Sequence, residues 1–346
     1  MTRSTLSVLI SNYNHVRFIP EALQAILAQS YRPAEIVIVD DGSTDDSVNV
    51  LEGFARTEPG LVRVIRNERN MGLLHNMNRL LELTTADYVY GAACDDKILP
   101  GFFERSMGLL ERHPAAGLCS TLSGIMDEAG EYRGLVRTPI VCGGDSYVTP
   151  VEALAALRRH GSWFMGNTTA YRRAALIEAG GFIPELGPYC DGFISLVLAL
   201  KHGACFIPEP LAMWRRMDDT YSRRVSMNFD AMINIIETAE RLMRSTYREV
   251  FPPDYVEEWR RELAFGAATS FVASCTDGRF AGLERLASPR GVVDKAFLWI
   301  LRTWPALGRV LACPYLFVRL RPKHLWSAWC RRTIYLLDPR LRGVGR

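Results

Sequence analysis

Adjacent carboxylates at two places in the first hundred residues are the side chains best suited to chemistry. Asp40-Asp41 follows the β-branched segment 35–39, and Asp95-Asp96 follows the apolar segment 88–92. The Asp95-Asp96 pair supplies the oxygen ligands that a hard divalent cation prefers, and Mg²⁺ commonly keeps waters and substrate phosphates as its other ligands. A carboxylate of Asp40-Asp41 can accept hydrogen bonds from a base N–H or a ribose hydroxyl. Either pair can instead form a turn that caps the next helix. Taken alone, Asp95-Asp96 fits both interpretations, and Asp40-Asp41 favours the turn.

Two further polar segments sit at comparable places. Ser11-Asn12-Tyr13-Asn14 follows the apolar run 6–10 and offers hydroxyl and amide groups and an aromatic face, and Asn70-x-Gly72 precedes a helical pattern that contains Asn76, Asn78 and Arg79. The chain contains neither G-x-G-x-x-G nor G-x-x-x-x-G-K-[ST]. Their absence argues against a dinucleotide-binding fold and against a P-loop NTPase.

Strand-like and helix-like patterns alternate through this region. The apolar or β-branched segments are 6–10, 35–39, 61–65 and 88–92, and the helical segments between them are 18–30, 45–56 and 72–83. We expect Thr44 or Asp45 to cap the second helix. This order predicts a largely parallel sheet with right-handed crossovers, in which ligands bind beyond the carboxyl ends of the strands. The polar clusters at 11–14, 40–43 and 95–96 should therefore converge on one crevice.

The remainder of the chain divides into a mixed part and a helical part. Helical patterns cover 100–112, 150–160 and 191–202, and the pattern is almost wholly helical from Ser226 onward. We expect one domain over 1–222, with halves at about 1–100 and about 101–222, then a helical region at 223–290 and a basic, aromatic-rich helical tail at 291–346.

Composition and charge limit the class of protein. The 346 residues are 48% hydrophobic and 23% charged, as in a globular protein. The eight cysteines form no C-x-x-C pair, so we expect reduced thiols in a cytoplasmic protein rather than zinc or disulfides. No signal peptide and no apolar stretch of membrane-spanning length is evident.

The tail is the exception to an otherwise mildly acidic chain. Residues 291–346 carry 11 Lys+Arg against 2 Asp+Glu, interleaved with aromatic residues. This pattern suits a helix lying on the inner face of a membrane, although a helical domain that packs on protein fits as well. No recognised nucleic-acid module accompanies the basic residues, so we expect no nucleic-acid partner. The sequence leaves a homo-oligomer open.

Four segments together resemble the GT-A-fold family 2 glycosyltransferases: Ser7 to Asn14, residues 28–47, Asn70-Met71-Gly72 and Asp95-Asp96. The resemblance covers about residues 5–222. It implies an α/β GT-A (Rossmann-like) fold with a mostly parallel central sheet flanked by helices, here with a C-terminal helical extension. It also implies a nucleotide-sugar donor (a UDP-sugar by default), a saccharide or polyprenyl-linked acceptor, and Mg²⁺ or Mn²⁺ as cofactor.

The resemblance assigns roles to individual residues of the first half. Ser11 and Tyr13 would line the base pocket, Asp41 would bond the base, Asp95 would face the ribose or diphosphate, and Asp96 would hold the metal, with Asp95 as a further ligand. Gly72 and Asn78 would complete the donor site. Family members often have Asp-x-Asp-Asp at the metal, and Ala93 replaces the first carboxylate here.

In the second half the resemblance points to Asp191 as the general base of an inverting transfer. It follows Gly180-Gly181-Phe182 and lies between Cys190 and Gly192, where family members often have a Glu-Asp pair. A helix N-cap is the alternative role. Arg215, in Trp214-Arg215-Arg216, would neutralise the diphosphate, or else belong to an exposed basic turn. A non-catalytic nucleotide-sugar-binding or scaffold protein on the same fold is the competing function.

Overall fold

The computed structural model describes residues 3–217, 220–274 and 291–320. They form two compact units. The first contains residues up to Pro184 together with Cys190–Met217, and the second contains Glu185–Tyr189 and the described residues after position 219. The boundaries expected at 222/223 and 290/291 stay predictions, and residues 275–290 and 321–346 lie outside the described residues.

The described residues of the first unit form a ten-stranded sheet in the order β3-β2-β1-β4-β9-β6-β10-β5, with β7 paired to β6 and β8 to β10. Its strands are β1 (Leu6–Asn12), β2 (Glu35–Asp40), β3 (Val62–Arg66), β4 (Tyr88–Ala92), β5 (Lys97–Ile98), β6 (Leu118–Met126), β7 (Tyr132–Leu135), β8 (Ser146–Val148), β9 (Thr169–Arg172) and β10 (Ala204–Arg215).

Helices flank this sheet. They are α1 (Ile19–Leu27), α2 (Ser47–Thr57), α3 (Leu73–Leu83), α4 (Phe102–Arg112), α5 (Pro150–His160), α6 (Arg173–Glu178) and α7 (Cys190–His202), with a 3₁₀ helix at Gly166–Thr168. The α/β fold and its mostly parallel central sheet are as predicted.

The parallel part of the sheet is the part that positions the polar clusters. Strands β2, β1 and β4 are neighbours and run parallel, and β3 pairs in parallel with β2. Nearly every residue of β1 and β2 is buried, because both faces of such a sheet are covered. The alternate side chains of one face enter a core shared with α1 and α4: Leu6, Val8, Ile10, Ile36 and Ile38. Beyond β4 the antiparallel strand β9 follows, and β6 and β10 then run parallel to each other.

Two local features differ from the sequence-based expectation. Helix α2 begins at Ser47, and the expected cap Asp45 instead accepts hydrogen bonds from the N–H groups of Ser47 (3.0 Å) and Val16 (3.1 Å). It thereby joins the start of α2 to the segment after β1. The short strand β5 follows Asp96 and pairs with β10. Two residues carry no periodicity, so only the partner strand makes β5 recognisable.

The second unit is helical, as its periodicity predicts. Its helices are α8 (Tyr221–Met227), α9 (Phe229–Arg244), α10 (Pro253–Ser274), α11 (Val292–Thr303) and α12 (Pro305–Leu320). Their buried faces form a separate core that includes Phe229, Phe265, Phe297 and Leu316. Among the described residues, no helix is both long and apolar enough to cross a membrane.

Candidate active site

The ends of β1 and β2 are joined through a buried carboxylate. Asp40 accepts hydrogen bonds from Asn12 Nδ2 (2.8 Å) and from the hydroxyl of Ser43 (2.6 Å), and its side chain is fully buried. The next residue, Asp41, donates its backbone N–H to the Asn12 carbonyl at 2.8 Å. Asp40 thus holds the two strand ends together, and the side chain of Asp41 that follows is also buried, at 2% exposed.

The Asp41 carboxylate is oriented by the segment that leads into α3. It accepts hydrogen bonds from the N–H groups of Met71 (2.8 Å) and Gly72 (2.9 Å) and from Asn67 Nδ2 (2.8 Å). Burial opposes ionisation, but these hydrogen bonds and one from Asn76 outweigh it, so the pKa of Asp41 lies below its ordinary value. The positive φ of Gly72, 94°, suits a glycine at this turn.

Ser11 belongs to the same network. Its hydroxyl accepts a hydrogen bond from Asn76 Nδ2 at 3.1 Å, and Asn76 Oδ1 accepts one from Asn67 at 2.9 Å. Tyr13 lies two residues further along and is 43% exposed, so its ring can present a face to a planar ligand. Ser11 and Asp41 are therefore brought together, with Asn67 and Asn76 as connecting residues.

Asp95 and Asp96 are half-buried beyond the end of β4. Asp96 Oδ1 accepts the backbone N–H of Arg215 at 2.8 Å. Burial raises the pKa of Asp96 well above its ordinary value, and the charge of Asp95 adds to this. Two carboxylates held together in this way would be stabilised by a cation.

A divalent cation fits this pair only with additional ligands. In the described parts of the chain, no group of three or more His, Cys, Asp or Glu side chains lies together as a complete metal site. Mg²⁺ is commonly bound by one or two carboxylates and completes its octahedron with waters and substrate phosphates. The donor set therefore suits an ion that arrives with a diphosphate.

The carboxylates at the two strand ends share one neighbour. Burial raises the pKa of the Cys94 thiol, and the charges of Asp95 and Asp40 both add to the shift. Since β1 lies between β2 and β4, the polar residues that follow these three strands occupy one edge of the sheet. This is the edge at which the sequence-based hypothesis expects the polar clusters, and their convergence on one crevice stays a prediction.

For Arg215 the structure corrects the expectation of a diphosphate ligand. Its side chain is only 2% exposed, and Nε donates to the Asp95 carbonyl at 2.8 Å. The remaining guanidinium groups donate to the carbonyls of Asp127 (3.2 Å) and Glu128 (3.0 Å) and to Glu21 Oε2 (2.5 Å). A guanidinium committed to these partners braces the Asp95-Asp96 segment. Its neighbour Arg216 is exposed.

Asn78 also takes a role that differs from donor binding. Its amide donates to the Phe182 carbonyl at 2.7 Å and accepts the Phe182 N–H at 2.8 Å. Because both ends of the amide are used, Asn78 ties α3 to the Gly180-Gly181-Phe182 segment. The glycine at 181 leaves room for this contact, since a β-carbon there would lie 2.7 Å from Asn78 Oδ1.

Asp191 lies half-buried in the first turn of α7. Burial raises the pKa of its carboxyl, while hydrogen bonds from the N–H groups of Gly192, Asp191 itself and Gly166 oppose the shift. The Gly192 N–H lies 2.6 Å from Oδ1. A carboxylate whose pKa is raised toward neutrality is a better proton acceptor than an ordinary exposed one. The geometry is compatible with both the base and the helix-capping roles.

Sequence reasoning assigned no role to Asn67, Asn76, Gly166 and Asn167. A signal for Asn67 existed, because it follows strand β3 just as the other polar clusters follow theirs. For Gly166 and Asn167 there was none, since their partners are distant in the chain.

Comparisons with known proteins agree with this geometry. The sequence profile of Glycosyl transferase family 2 matches residues 7–180. An uncharacterized protein of Mycobacterium tuberculosis is 31% identical over 228 residues, covering 64% of this chain and 70% of the relative. The putative glycosyltransferase EpsE of Bacillus subtilis is 31% identical over 39% of this chain, which spans about half (49%) of EpsE. The amylovoran biosynthesis glycosyltransferase AmsE of Erwinia amylovora is 27% identical, covering 64% of this chain and 80% of AmsE.

Two solved structures share the fold at low sequence identity. The mannosyltransferase PcManGT of Pyrobaculum calidifontis, in complex with GDP-Man and Mn²⁺, has a TM-score of 0.53 and 19% identity, covering 94% of this chain and 88% of that chain. Residues 1–349 of TarS from S. aureus, in complex with UDP-GlcNAc, have a TM-score of 0.55 and 17% identity, covering 92% and 91%. The fold is accordingly GT-A, and the family profile covers half of the chain. The chain belongs to glycosyltransferase family 2, whose members use nucleotide sugars.

Proposed function

We propose that this protein is an inverting, metal-dependent hexosyltransferase that moves a sugar from a nucleoside-diphospho-sugar to a hydroxyl of a saccharide or polyprenyl-linked acceptor. The observation that carries the proposal is that Asp41 and Asp95-Asp96 follow the carboxyl ends of β2 and β4, the two parallel neighbours of β1, and so lie at one edge of the sheet. A nucleoside diphosphate is the ligand that needs both a hydrogen-bond acceptor for its base and a cation for its phosphates.

On the donor side, Ser11, Tyr13 and Asp41 bind the nucleoside, with Gly72 shaping the loop around Asp41. Asp95 and Asp96 hold Mg²⁺ or Mn²⁺ together with the diphosphate. When bound, the cation stabilises the negative charge that develops on the leaving diphosphate. UDP is our default nucleotide, and the GDP-Man and UDP-GlcNAc complexes of PcManGT and TarS keep the identity of the base open.

On the acceptor side, Asp191 is the general base. The acceptor oxygen forms a bond to the anomeric carbon as the bond from that carbon to the diphosphate oxygen breaks, and the hydroxyl proton passes to the Asp191 carboxylate. Attack from the face opposite the diphosphate inverts the anomeric centre. The raised pKa of Asp191 supports this role, since it increases the driving force for proton transfer.

A panel of nucleotide sugars tests the proposal. The true donor should raise the unfolding temperature by mass action, and more so with Mn²⁺ present. The same donor should then be turned over, with release of a nucleoside diphosphate that depends on the metal. A protein that binds the nucleotide but releases no nucleoside diphosphate with any acceptor or metal would instead support the non-catalytic scaffold.

The second unit carries a surface that fits a membrane. Helix α12 buries one face in the core of that unit, yet its opposite face exposes an apolar stripe at helical spacing: Leu307, Val310, Leu311, Pro314, Phe317 and Val318. Trp299 and Trp304 are each 57% exposed nearby in the chain. Such a stripe marks an interaction site, and the basic residues of 291–346 match an anionic lipid surface. We therefore infer docking on an anionic membrane.

Vesicle sedimentation checks the membrane proposal. The full chain should sediment with phosphatidylglycerol vesicles more than with phosphatidylcholine vesicles, and Val310→Glu should weaken this binding. Val151→Glu is the matched control, because Val151 is 79% exposed on α5 outside the stripe. Equal loss in both variants, or dimers that dissociate only in Val310→Glu, would show that the stripe does not meet lipid.

A further inference from the structure

Two consecutive residues connect the carboxylates that the proposed reaction requires. Gly166 packs directly against the Asp191 carboxylate, with no room for a side chain between them. Asn167 is bonded through its carbonyl to Tyr90 of β4, the strand that leads to Asp96; burial raises the pKa of Asp96, and the Asn167 side chain is one of the groups that oppose this shift. The proton acceptor and the metal-binding carboxylate, which come from α7 and the end of β4, are thus connected through a single dipeptide.

This dipeptide is itself held firmly. The Asn167 carbonyl accepts a hydrogen bond from the hydroxyl of Tyr90 at 3.0 Å, and Asn167 Nδ2 lies 3.3 Å from the hydroxyl oxygen of Ser123. Tyr90 is buried on β4, the strand that leads to Asp96. Any displacement of the dipeptide would therefore be opposed by the same strand that carries the metal-binding pair.

Close packing explains the glycine at position 166. A β-carbon added there would have Asp191 atoms as its three nearest neighbours, with Cγ at 3.1 Å, Cβ at 3.4 Å and Oδ2 closer still. The φ of Gly166 is not positive, so an alanine is compatible with the backbone conformation. The atoms that most directly obstruct a side chain at this position therefore belong to Asp191.

We propose that Gly166-Asn167 is a positioning element that fixes Asp191 relative to Asp96, and hence the base relative to the donor diphosphate. This inference rests on the proposed function. Neither residue needs to touch the reacting atoms, because Gly166 acts through its packing on Asp191 and Asn167 acts through its attachment to β4. Transfer should be sensitive to this geometry, since a displacement of about 1 Å can cost on the order of a hundredfold in rate.

The first test is Gly166→Ala. We expect the transfer rate to fall at least about tenfold with donor affinity unchanged within about twofold, because the methyl group displaces the Asp191 carboxyl only. Gly144→Ala is the matched control, since Gly144 is exposed, has no positive φ and has open space around its β-carbon position. A Gly166→Ala enzyme with the wild-type rate would overturn the proposal.

A double-mutant cycle separates positioning from a general loss of structure. If Gly166 acts through Asp191, adding Gly166→Ala to Asp191→Asn should cause no further loss of the residual rate. If the methyl group disturbs the fold in some other way, the two losses should multiply. Multiplying losses would therefore refute the positioning role.

The second arm uses Asn167→Ala and remains informative even if Gly166→Ala does not fold. We expect a severalfold rise in the Mn²⁺ concentration needed for half-maximal binding of a nucleoside diphosphate, measured by calorimetry without acceptor. Unchanged Mn²⁺ dependence would overturn the assignment of Asn167. Because this experiment measures binding without turnover, its result does not depend on whether a sugar is transferred. A wild-type protein that binds the nucleoside diphosphate but never transfers a sugar would refute the proposed function and leave the role of Asn167 standing.

Discussion

Asp191→Asn is the substitution that examines the proposed chemistry most directly. The amide cannot accept a proton, so the transfer step loses its general base. General bases contribute about a hundredfold to ten-thousandfold to rate, and a hundredfold loss corresponds to about 2.7 kcal/mol of transition-state stabilisation. We therefore expect the rate of nucleoside diphosphate release in the presence of acceptor to fall at least about a hundredfold.

The structure also predicts that this loss will not come from unfolding. The carboxylate accepts the N–H of Gly192, and an amide turned the wrong way would lose that hydrogen bond. One lost hydrogen bond costs about 1 kcal/mol, and burial already disfavours the charged carboxyl, so the net destabilisation should stay at or below this value. Because the entropy of unfolding grows with chain length, the unfolding temperature of this 346-residue protein should fall by at most about 2 °C.

The assay compares donor binding, transfer and thermal unfolding in the same preparation. Asp254→Asn is the control, because it makes the same charge change in the first turn of another helix, at an exposed position. Donor affinity should be unchanged in both variants. If Asp191→Asn retains a rate within about threefold of wild type, a loss far smaller than that expected for a general base, Asp191 has no part in the proton transfer.

The remaining predictions concern the donor site, the pH dependence and the brace behind the metal-binding pair. Asp96→Ala should abolish metal-dependent turnover in an assay of nucleoside diphosphate release, and unchanged activity would contradict the metal assignment. Asp41→Ala removes an acceptor shared by three donors and should weaken nucleotide binding and cost about 2–3 kcal/mol of stability, as measured by calorimetry and urea unfolding. Burial raises the pKa of Asp191, and Asp191 must be ionised to act, so the transfer rate should fall as the pH drops through that raised pKa. If the residual rate of Asp191→Asn shows the same fall at acid pH, the titrating group is a residue other than Asp191. Arg215→Met should lower the free energy of unfolding by about 2–3 kcal/mol, as measured by urea unfolding. This is less than the loss expected for a fully buried ion pair, because Glu21 is 38% exposed. A stability equal to wild type would show that Arg215 does not brace the site.

Much of the fold was predictable because its N-terminal part follows simple rules. Apolar runs bounded by polar turns place β1, β2 and β4 within one or two residues of their observed bounds. Parallel strands put their carboxyl ends at one edge, so the order of elements already implies that Ser11, Asp41 and Asp95-Asp96 lie near one another. No knowledge of side-chain packing is needed for that step.

Arg215 and Asn78 could not be understood in the same way. Both are polar residues close to motifs, and such residues can face a ligand or the protein interior equally well. The available hydrogen-bond partners decide which way each side chain faces. Arg215 bonds three backbone carbonyls and Glu21, and Asn78 bonds both the carbonyl and the N–H of Phe182. These partners come from elements far away in the chain, and no local pattern indicates them.

The sequence by itself determined the order of strands and helices, the family and the edge of the sheet at which the carboxylates gather, because hydrophobic periodicity and chain direction are local properties. Only the tertiary structure decided which polar groups are already satisfied by the protein and which lie in the crevice. It also placed Gly166-Asn167 between Asp191 and Asp96, since a contact among three separate segments exists only once the chain has folded.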